Sequence, residues 1–536
     1  MISRRMIPAL SLVACMAAIS ACGGGGGGGD EGLVPGPPPP APSFSIGGTV
    51  TGLAGTGLVL RDQSGEDLAI SANGAFTFQA RVGTGLTYEV SIRTQPMSDP
   101  AQHCTVSNGQ GTVGSAPVTN ISVQCGTRVN KFIYVPNAGS DNVSAFAIDP
   151  ASGALSAIAG SPYASGVTPR TAAASRNGTS LYVANEGSAS ARPGISAYSI
   201  DTSTGALTAV PGSPFDLDPT LPPTAQTSLT RLLIHPSGSK LYVSTVAAGA
   251  LHGVSVTASS GALMSIPGTP LTIGQGLTTG TFTFSGDVLY LPHDNHAAGS
   301  AGGISAYAVQ TSGALTAIGT FATGGRIPAS ATLNSQGTLL FAPNAASGTL
   351  AVFRADPGGA LTAVPGSPFD IGTDTVPVSV ALHPTKNFLY ITNAFVFSTP
   401  EESTLSAFQV DANGVLTPIP GTPYPTNGTS AMPARIHPTG KFLYVSNRFS
   451  NNIQAYAIDQ TTGALANVPG SPFATGLTPS AVEIDVSGRF LFVANADSHT
   501  VSAYSIDGGT GALALIDSVP AGTAPTSIEI VGLEPL

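Results

Sequence analysis

The sequence contains no tryptophan and carries very little charge. Only 9% of its 536 residues are Asp, Glu, Lys or Arg, and 29 acidic against 19 basic residues give a formal net charge of −10. A nucleic-acid-binding protein needs a field of Lys and Arg that displaces counterions from phosphates. We therefore exclude a nucleic-acid partner. Any sugar that stacks on the protein would have to use Tyr or Phe rings.

Helix-forming segments are equally scarce. The chain has 66 Gly and 44 Pro, and both residues are unfavourable inside helices. Such a composition favours short strands joined by turns. A chain of 536 residues also exceeds one ordinary domain unless it is built from repeats.

The first 22 residues have the features of an export signal. Arg4 and Arg5 precede an apolar stretch, residues 7–19, that is too short to span a membrane as a helix. It ends in ISAC, which resembles the bacterial lipobox, whose cysteine is diacylated; an ordinary secretory signal is the alternative. A lipid on Cys22 and a Gly/Pro-rich tether over residues 23–43 predict an exported, lipid-anchored protein. Gly23, directly after the cysteine, resembles the residue found there in lipoproteins sorted to the outer membrane. The sequence does not show on which side of that membrane the protein lies.

Two cysteines remain once Cys15 leaves with the signal and Cys22 carries lipid. In an exported domain, Cys104 and Cys125 are expected to form a disulfide. A metal pair is the alternative, although no His or Cys lies at zinc-ligand spacing from them. We expect neither a metal nor another cofactor.

Residues 44–126 have alternating apolar positions bounded by turn signals such as Asn-Gly. This pattern predicts a small antiparallel β-sandwich. The stretch resembles the Ig-like or carboxypeptidase-regulatory-like modules that precede exported bacterial domains, and its expected role is that of a spacer.

From residue 127 to residue 536 one unit recurs. Its second strand begins at Phe132, Leu181, Leu241, Leu289, Leu339, Leu389, Leu443 and Leu491, with spacings of 48 to 60 residues. A GAL or GVL turn follows in each of the eight units. Four apolar segments in a unit of about 50 residues predict a β-propeller blade.

The repeated text LYVAN…VSAYSID…GALT…HPSG resembles the lactonase-like and YVTN-type propellers. The resemblance implies an all-β propeller, and those families mostly have seven blades. Eight copies predict eight blades here, with seven as the alternative. Residues 526–531 are expected to pair with the strand at Phe132 and close the ring, since each would otherwise be left as an open edge.

Residues that recur at the same position in each unit are expected to stabilise the repeated fold. The His-Pro turns at His235, His383 and His437, and the asparagines that end the second strand, are therefore predicted to be structural. We expect ligand binding at the insertions that interrupt the repeat. In a propeller these insertions all lie on one face. These insertions are residues 186–194, 216–228, 293–303 and 394–403.

Charged and imidazole residues on this loop face are the candidate site. Arg170 and Glu186 match the P-R-H and N-E positions of lactonase-like propellers, which implies a catalytic role, although Thr171 stands where those carry His. The ligand-binding candidates are Arg192, His293, Asp294, His296, Arg326, Arg448 and His499; His252, Glu401, Glu402 and Asp497 are also assigned to this face. His293, Asp294 and His296 are expected to belong to a solvated polar loop, with a divalent metal site, for which they offer suitable donors, as the alternative.

Three functions remain open. The first is a binding or scaffolding module of the cell envelope, which uses the loop face for a protein, peptide or glycan. The second is a lactone hydrolase of the 6-phosphogluconolactonase type, with Arg170 holding an anionic group and Glu186 or a His acting as base. The third is a structural component of the envelope. We favour the first, because a phosphorylated sugar lactone is cytoplasmic and the chain is expected to be exported.

Overall fold

The computed structural model describes residues 42–94, 96, 102–127, 129–217, 229–245, 249–257, 260–274, 276–294, 302–372, 375–396 and 402–533. Cys22, the tether up to residue 41, His296 and Glu401 lie outside these ranges, as do parts of three of the loop insertions. Within them the chain forms strands and turns, and no helix is long and apolar enough to cross a membrane.

The N-terminal unit consists of two four-stranded sheets, β4-β1-β8-β6 and β3-β2-β5-β7. Its strands are β1 (Ser43–Thr51), β2 (Leu58–Asp62), β3 (Asp67–Ile70), β4 (Gly74–Gly83), β5 (Thr87–Thr94), β6 (Gln102–Ser107), β7 (Gln110–Thr112) and β8 (Val118–Thr127). Side chains of both sheets share one buried core, which includes Ile46, Leu58, Leu60 and Phe78.

Two predictions for this unit can be checked. Cys104 lies opposite Cys125 across β6 and β8, and the two form the predicted disulfide. The prediction of a wholly antiparallel pairing is wrong, because β1 pairs with β8 in parallel. Between these two strands the chain passes through both sheets, which gives the long crossover that a parallel pair requires.

In the rest of the described chain, eight sheets with four main strands each follow one another, and we number them blades 1 to 8. The first four are β46 (Glu529–Leu533), β9 (Val129–Asn137), β10 (Asn142–Ile148), β11 (Leu155–Ala157); β13 (Pro169–Ala174), β14 (Ser180–Asn185), β15 (Gly194–Ile200), β16 (Leu207–Ala209); β18 (Leu229–Ile234), β19 (Lys240–Thr245), β20 (Ala250–Val256), β21 (Leu263–Ser265); and β23 (Thr281–Phe282), β24 (Val288–His293), β25 (Gly303–Val309), β26 (Leu315–Ala322).

Blades 5 to 8 repeat the pattern. They are β27 (Thr332–Leu333), β28 (Leu339–Asn344), β29 (Thr349–Ala355), β30 (Leu361–Ala363); β32 (Thr375–Leu382), β33 (Phe388–Val396), β34 (Thr404–Val410), β35 (Leu416–Pro418); β37 (Arg435–Ile436), β38 (Phe442–Asn447), β39 (Asn452–Ile458), β40 (Leu465–Asn467); and β42 (Pro479–Ile484), β43 (Phe490–Asn495), β44 (Thr500–Ile506), β45 (Leu513–Pro520). Six two-residue strands pair with the third strand of their blade: β12 (Tyr163–Ala164), β17 (Phe215–Asp216), β22 (Leu271–Thr272), β31 (Phe369–Asp370), β36 (Tyr424–Pro425) and β41 (Phe473–Ala474).

Apolar packing joins the blades into a closed ring. Each neighbouring pair shares one buried cluster, in the order blade 1 with 2, 2 with 3, and so on to 7 with 8. A further cluster joins blade 8 to blade 1 through Phe490 and Phe492 on one side and Ile133 and Phe146 on the other. The described residues therefore form the eight-bladed ring that the period predicts.

The C-terminal strand completes blade 1. Glu529 of β46 lies opposite Tyr134 of β9, and Val531 lies opposite Phe132. An isolated bridge between Asn137 and Pro525 begins this pairing. The predicted closure is confirmed, with the strand itself running to Leu533. It joins the two ends of the ring, so neither β9 nor β46 presents an unpaired edge toward the other.

The first strands of the blades lie innermost. Those of neighbouring blades approach each other closely, as the bridge between Thr279 of blade 4 and Ser330 of blade 5 shows. Arg435 of blade 7 reaches Glu483 of blade 8 in the same way. These strands line a central channel, and the remaining strands of each blade extend outward from it.

Two repeated motifs hold neighbouring blades together. The hydroxyl of Tyr444 in blade 7 donates to the Gly511 carbonyl of the GAL turn in blade 8 at 2.9 Å, and three other tyrosines at this position do the same. Gly511 has φ +77°, and a Cβ there would lie 2.4 Å from the Phe442 ring. The glycine thus permits the turn to dock closely on the preceding blade.

This contact predicts a difference between two chemically identical substitutions. Tyr444→Phe should destabilise the ring by about 1–3 kcal/mol, because the buried Gly511 carbonyl loses its donor. Tyr290→Phe is the matched control, since the Tyr290 hydroxyl is buried without a hydrogen-bond partner, and it should leave stability unchanged or raise it. Urea unfolding of both variants measures the difference. Equal losses would show that the tyrosine ring, and not its hydroxyl, joins the blades.

Candidate functional site

The loop face is formed where the first and second strands of each blade meet their loops. The residue that follows the second strand donates its N–H to the carbonyl of a residue that precedes the first strand. Glu186 donates to Thr168 at 3.0 Å in blade 2, and Ala496 donates to Thr478 at 2.8 Å in blade 8. Both acceptors have a left-handed φ of 56° although they are not glycine. These bonds place the two predicted loop classes on the same rim.

Arg170 and Glu186 meet at this rim. Pro169 pairs with Asn185 and Thr171 with Ala184, so Arg170 is the extra residue of a β-bulge beside the end of β14. Arg170 Nε lies 2.8 Å from Glu186 Oε2, with 45% of the arginine side chain and 20% of the glutamate side chain exposed. The predicted juxtaposition of these two residues is present as an ion pair that remains open to solvent.

The other described candidates are spread around the rim. Arg192 lies on blade 2, where its Nη1 is 3.4 Å from Asp216 Oδ2. Arg326, Arg448 and His499 are exposed on blades 5, 7 and 8 respectively. The structure therefore does not bring these residues to one point with Arg170.

His293 occupies a different environment from the one its sequence position predicts. It ends β24 at the position where six other blades carry asparagine, and it is buried. Its Nε2 lies 3.0 Å from the Ser305 hydroxyl, just as the Asn185 amide lies 3.0 Å from the Ser196 hydroxyl in blade 2. Burial lowers the pKa of His293, against the opposing effect of the Asp294 charge. His293 thus has the structural role of the repeated asparagine.

The assignment of His252 to the loop face is wrong. His252 lies within β20, opposite Val243, with 3% of its surface exposed. The Ala/Gly-rich text before it lacks a sharp turn signal, so the start of the strand is hard to place from sequence.

The repeated histidines hold turns on the opposite face of the ring. His235 Nε2 lies 3.1 Å from the Gly286 carbonyl, and His437 Nε2 lies 2.7 Å from the Gly488 carbonyl, each in the next blade. Their predicted structural role agrees with these contacts. Over the ranges that the structure describes, no group of three His, Cys, Asp or Glu side chains is placed to hold a metal ion.

Four charged residues inside the channel were missed by sequence reasoning. They are Arg231 on β18, Arg435 on β37, Glu483 on β42 and Glu529 on β46. Arg435 Nε lies 3.0 Å from Glu483 Oε2. Desolvation alone would lower the pKa of Arg435, but the charge and hydrogen bonds of Glu483 raise it overall.

Glu529 is an unusual carboxyl group. Its Oε1 accepts the Ala174 N–H at 2.9 Å and so connects blade 1 with blade 2. Burial among the inner strands raises its pKa to about 8, against the lowering effect of the Ala174 hydrogen bond, and the negative charge of Glu483 adds to the rise. The raised pKa favours the uncharged form of this side chain at neutral pH.

A signal for these residues was present in the sequence. The positions that correspond to Arg435, Glu483 and Glu529 carry Ala173, Leu233, Thr281, Thr332 and Ala381 in the other blades, and those that correspond to Arg231 include Thr171 and Ser379. Charged side chains at such positions break the repeat as clearly as the loop insertions do. A prediction based on loop insertions alone misses these departures, because they lie within the inner strands.

Comparison with known proteins identifies the family. A family model described as "Lactonase, 7-bladed beta-propeller" matches residues 43–276, 278–367 and 380–530. The ring described above has one blade more than this description. No curated protein matches the chain in sequence.

Solved structures of two bacterial proteins are similar to this chain. A periplasmic gluconolactonase of Pseudomonas aeruginosa has a TM-score of 0.52 and 16% identity, over 76% of this chain and 100% of that one. A protein of Bacteroides fragilis, named provisionally as a 6-phosphogluconolactonase, has a TM-score of 0.49 and 18% identity, over 75% of this chain and 98% of that one. At these identities the likeness is one of fold alone. The family match, which covers most of the sequence, shows that the chain belongs to the lactonase family of β-propellers.

Proposed function

We propose that this propeller is a lactone hydrolase whose site lies at the loop-face mouth of the channel. The observation that carries the proposal is the Arg170–Glu186 pair, held 2.8 Å apart at the rim by the bulge in blade 2. Family membership supports the reaction type, and the pair supplies a base and a cation for it. This alternative has more support than the envelope scaffold that we favoured from sequence.

Lactone hydrolysis is accelerated by a base and by an oxyanion-stabilising group placed beside one carbonyl carbon. A base removes a proton from the attacking water, and a cation stabilises the oxyanion that forms. Glu186 is placed for the first task and Arg170 for the second. Cleavage of the ring C–O bond then releases an alkoxide, which receives the proton, and the product is a hydroxy acid.

Thr171 affects which group acts as base. It stands where the resembling propellers carry His, and its buried hydroxyl has no hydrogen-bond partner. A threonine hydroxyl does not accept a proton at neutral pH, so the carboxylate of Glu186 remains as the base nearest to Arg170.

A second candidate is a protein-binding role at blades 7 and 8. Phe449 and Leu477 are 68% and 54% exposed on the loop face. The Arg448 guanidinium lies 5.8 Å from the centre of the Phe449 ring. Exposed aromatic rings and arginines are enriched at protein interfaces. This candidate requires a partner protein and no turnover.

The two candidates are separated by a direct assay. Purified protein is given D-glucono-δ-lactone, δ-valerolactone and γ-butyrolactone, and acid release is followed in a pH-stat against the spontaneous rate. Turnover of any of these lactones that is lost in Arg170→Ala supports the hydrolase. Wild-type protein that accelerates none of them, or an Arg170→Ala variant with unchanged rates, contradicts it and leaves the binding role.

We also propose that the protein acts as a lipoprotein, anchored through Cys22 and directed to the outer membrane. The support is the lipobox-like ISAC text and the tether that follows it. Cys22→Ala should move the processed protein from the membrane to the soluble fraction, because the apolar segment before it is too short to span. Fractionation and intact mass measure this. Processed, lipid-free protein that stays with the membrane would contradict the anchor.

A further inference from the structure

The outer edges of the blades are of two kinds. In six blades the fourth strand has three residues and is followed by a turn that contains a proline, after which two residues pair again with the third strand. In blade 1 the Ser161 hydroxyl of this turn accepts the Ala145 N–H at 2.9 Å, so a side chain replaces the backbone partner there. The turn interrupts the edge, and an interrupted edge is a poor template for pairing with another strand.

Blades 4 and 8 lack this turn. Their fourth strands, β26 and β45, are eight residues long and pair with the third strand along that length, with one extra residue at a bulge. In β26 the extra residue is Ile318, whose side chain packs against the cluster between blades 4 and 5. Beyond the bulge, residues 319–322 continue the strand, and no other described strand pairs with their outer side. These two blades therefore present uninterrupted edges.

The direction of the backbone groups shows which residues of β26 can pair outward. The Thr323 N–H donates to the Gly302 carbonyl at 2.9 Å, toward the third strand. Successive residues of a strand direct their N–H and C=O groups to opposite sides. Phe321 therefore also faces the third strand, whereas Thr320 and Ala322 direct their N–H and C=O groups outward. Both of these residues are exposed.

Blade 8 carries protective residues on its edge. The Ala521 N–H donates to the His499 carbonyl in the same way as in blade 4, so Pro520 occupies the position of Ala322. Proline has no N–H to donate, and Asp517 adds a charge to the same strand, which disfavours edge pairing. β26 contains neither proline nor a charged residue. Among the eight outer strands of the described ring, β26 alone is both uninterrupted by a turn and free of proline and charge.

We propose that β26 pairs with β26 of a second copy of this chain, antiparallel about a twofold axis at Phe321. In this register Thr320 of each copy lies opposite Ala322 of the other, so the outward N–H and C=O groups of both residues find partners. The two Phe321 side chains meet at the axis, where opposite side chains approach most closely. The strand carries no charge, so self-pairing brings no like charges together within it. This interface does not depend on the hydrolase function.

The self-association of the full chain is measured by sedimentation velocity. One pair of edge strands covers less surface than the about 1,200–2,000 Å² of a stable interface, so we expect a weak, reversible dimer. Its fraction should rise as the protein concentration increases from about 1 to about 100 µM.

A substitution that copies blade 8 tests whether the edge forms this dimer. Ala322→Pro places in blade 4 the residue that Pro520 supplies in blade 8, and it removes the outward N–H from each copy. Two hydrogen bonds are then lost per dimer, so the association constant should fall by about 10- to 100-fold. Ala322→Ser keeps the N–H and is the matched control, with the association of the wild type expected. Thermal unfolding verifies that both variants are folded.

A pair of cysteine variants tests the register. With Phe321→Cys the two thiols meet across the twofold axis, so copper phenanthroline as oxidant should join the copies through a disulfide. Thr316→Cys lies on the other side of the bulge and is the control. The axis places its two copies far apart, so it should crosslink no more than the unchanged chain.

Each outcome decides the proposal. A wild type that stays monomeric at every concentration would overturn the self-pairing and leave a strand of another protein as the occupant of the edge. A dimer that Ala322→Pro leaves unchanged, or that Ala322→Ser weakens equally, would place the interface elsewhere. If Ala322→Pro does not fold, crosslinking of Phe321→Cys without crosslinking of Thr316→Cys supports the pairing, and equal crosslinking of both overturns it.

Discussion

A chain that ends after Pro525 should fail to form a stable propeller. It loses β46, and with it the backbone pairing to β9 and the Glu529 bond to the Ala174 N–H. It also loses Ile528 and Val531 from the two clusters that flank blade 1. Burial of each such side chain contributes about 1.5–3 kcal/mol. With the exposed edge of β9 added, the loss is comparable to the whole stability of an ordinary domain, about 5–15 kcal/mol.

Thermal unfolding of the truncated chain measures this effect. We expect the propeller transition to disappear or to fall by more than about 10 °C, since about 1 kcal/mol shifts the midpoint of a large domain by about 2–4 °C. A chain that ends after Leu533 keeps β46 and is the control. If truncation after Pro525 leaves the transition at the control temperature, the last strand does not close the ring.

Glu186→Gln should reduce kcat/KM for lactone hydrolysis by about 10²- to 10⁴-fold, which is the range for loss of a general base. The amide keeps the size of the side chain and can still contact Arg170, so the loss should fall on kcat. Arg170→Ala should reduce kcat/KM by about 10²- to 10³-fold, as for a lost oxyanion donor. Steady-state kinetics with the most active lactone of the panel measures both.

The matched control is Asp517→Asn on β45, at the outer edge of blade 8. It makes the same carboxylate-to-amide change far from the channel mouth, and its rates should equal those of the wild type. Unfolding temperatures verify that all variants are folded. If Glu186→Gln keeps the wild-type kcat, Glu186 is not the base. If Asp517→Asn loses as much kcat as Glu186→Gln, the loss does not depend on the position of the carboxylate.

The fold was predictable because its information is repeated eight times along the chain. The second-strand text and the GAL turn mark every blade, and Tyr444 and Gly511 show why both recur: each makes half of one contact between blades. Closure was predictable from the surplus strand at residues 526–531. The strand at Phe132 also lacked a neighbour in the sequence pattern, so the two unpaired strands were expected to pair with each other. A repeat therefore reveals its architecture through what is common to all units.

The site was harder to predict because it depends on single departures from the repeat. Arg170 and Glu186 were found because both lie at recognisable strand ends. His293 was misjudged because a side chain that replaces the repeated asparagine looks like the start of an insertion. Arg231 and Glu529 were missed because only the ring geometry brings blade 1 and blade 3 to one channel. Their relation to Arg435 and Glu483 spans units that are distant in sequence.

A crystal structure of the protein with D-gluconate, the product of D-glucono-δ-lactone, tests the placement of the site most directly. We expect the hydroxy acid at the loop-face mouth of the channel, beside Arg170 and Glu186. Ligand density at blades 7 and 8 around Phe449, or on the face of the His-Pro turns, with an empty channel mouth would contradict the site.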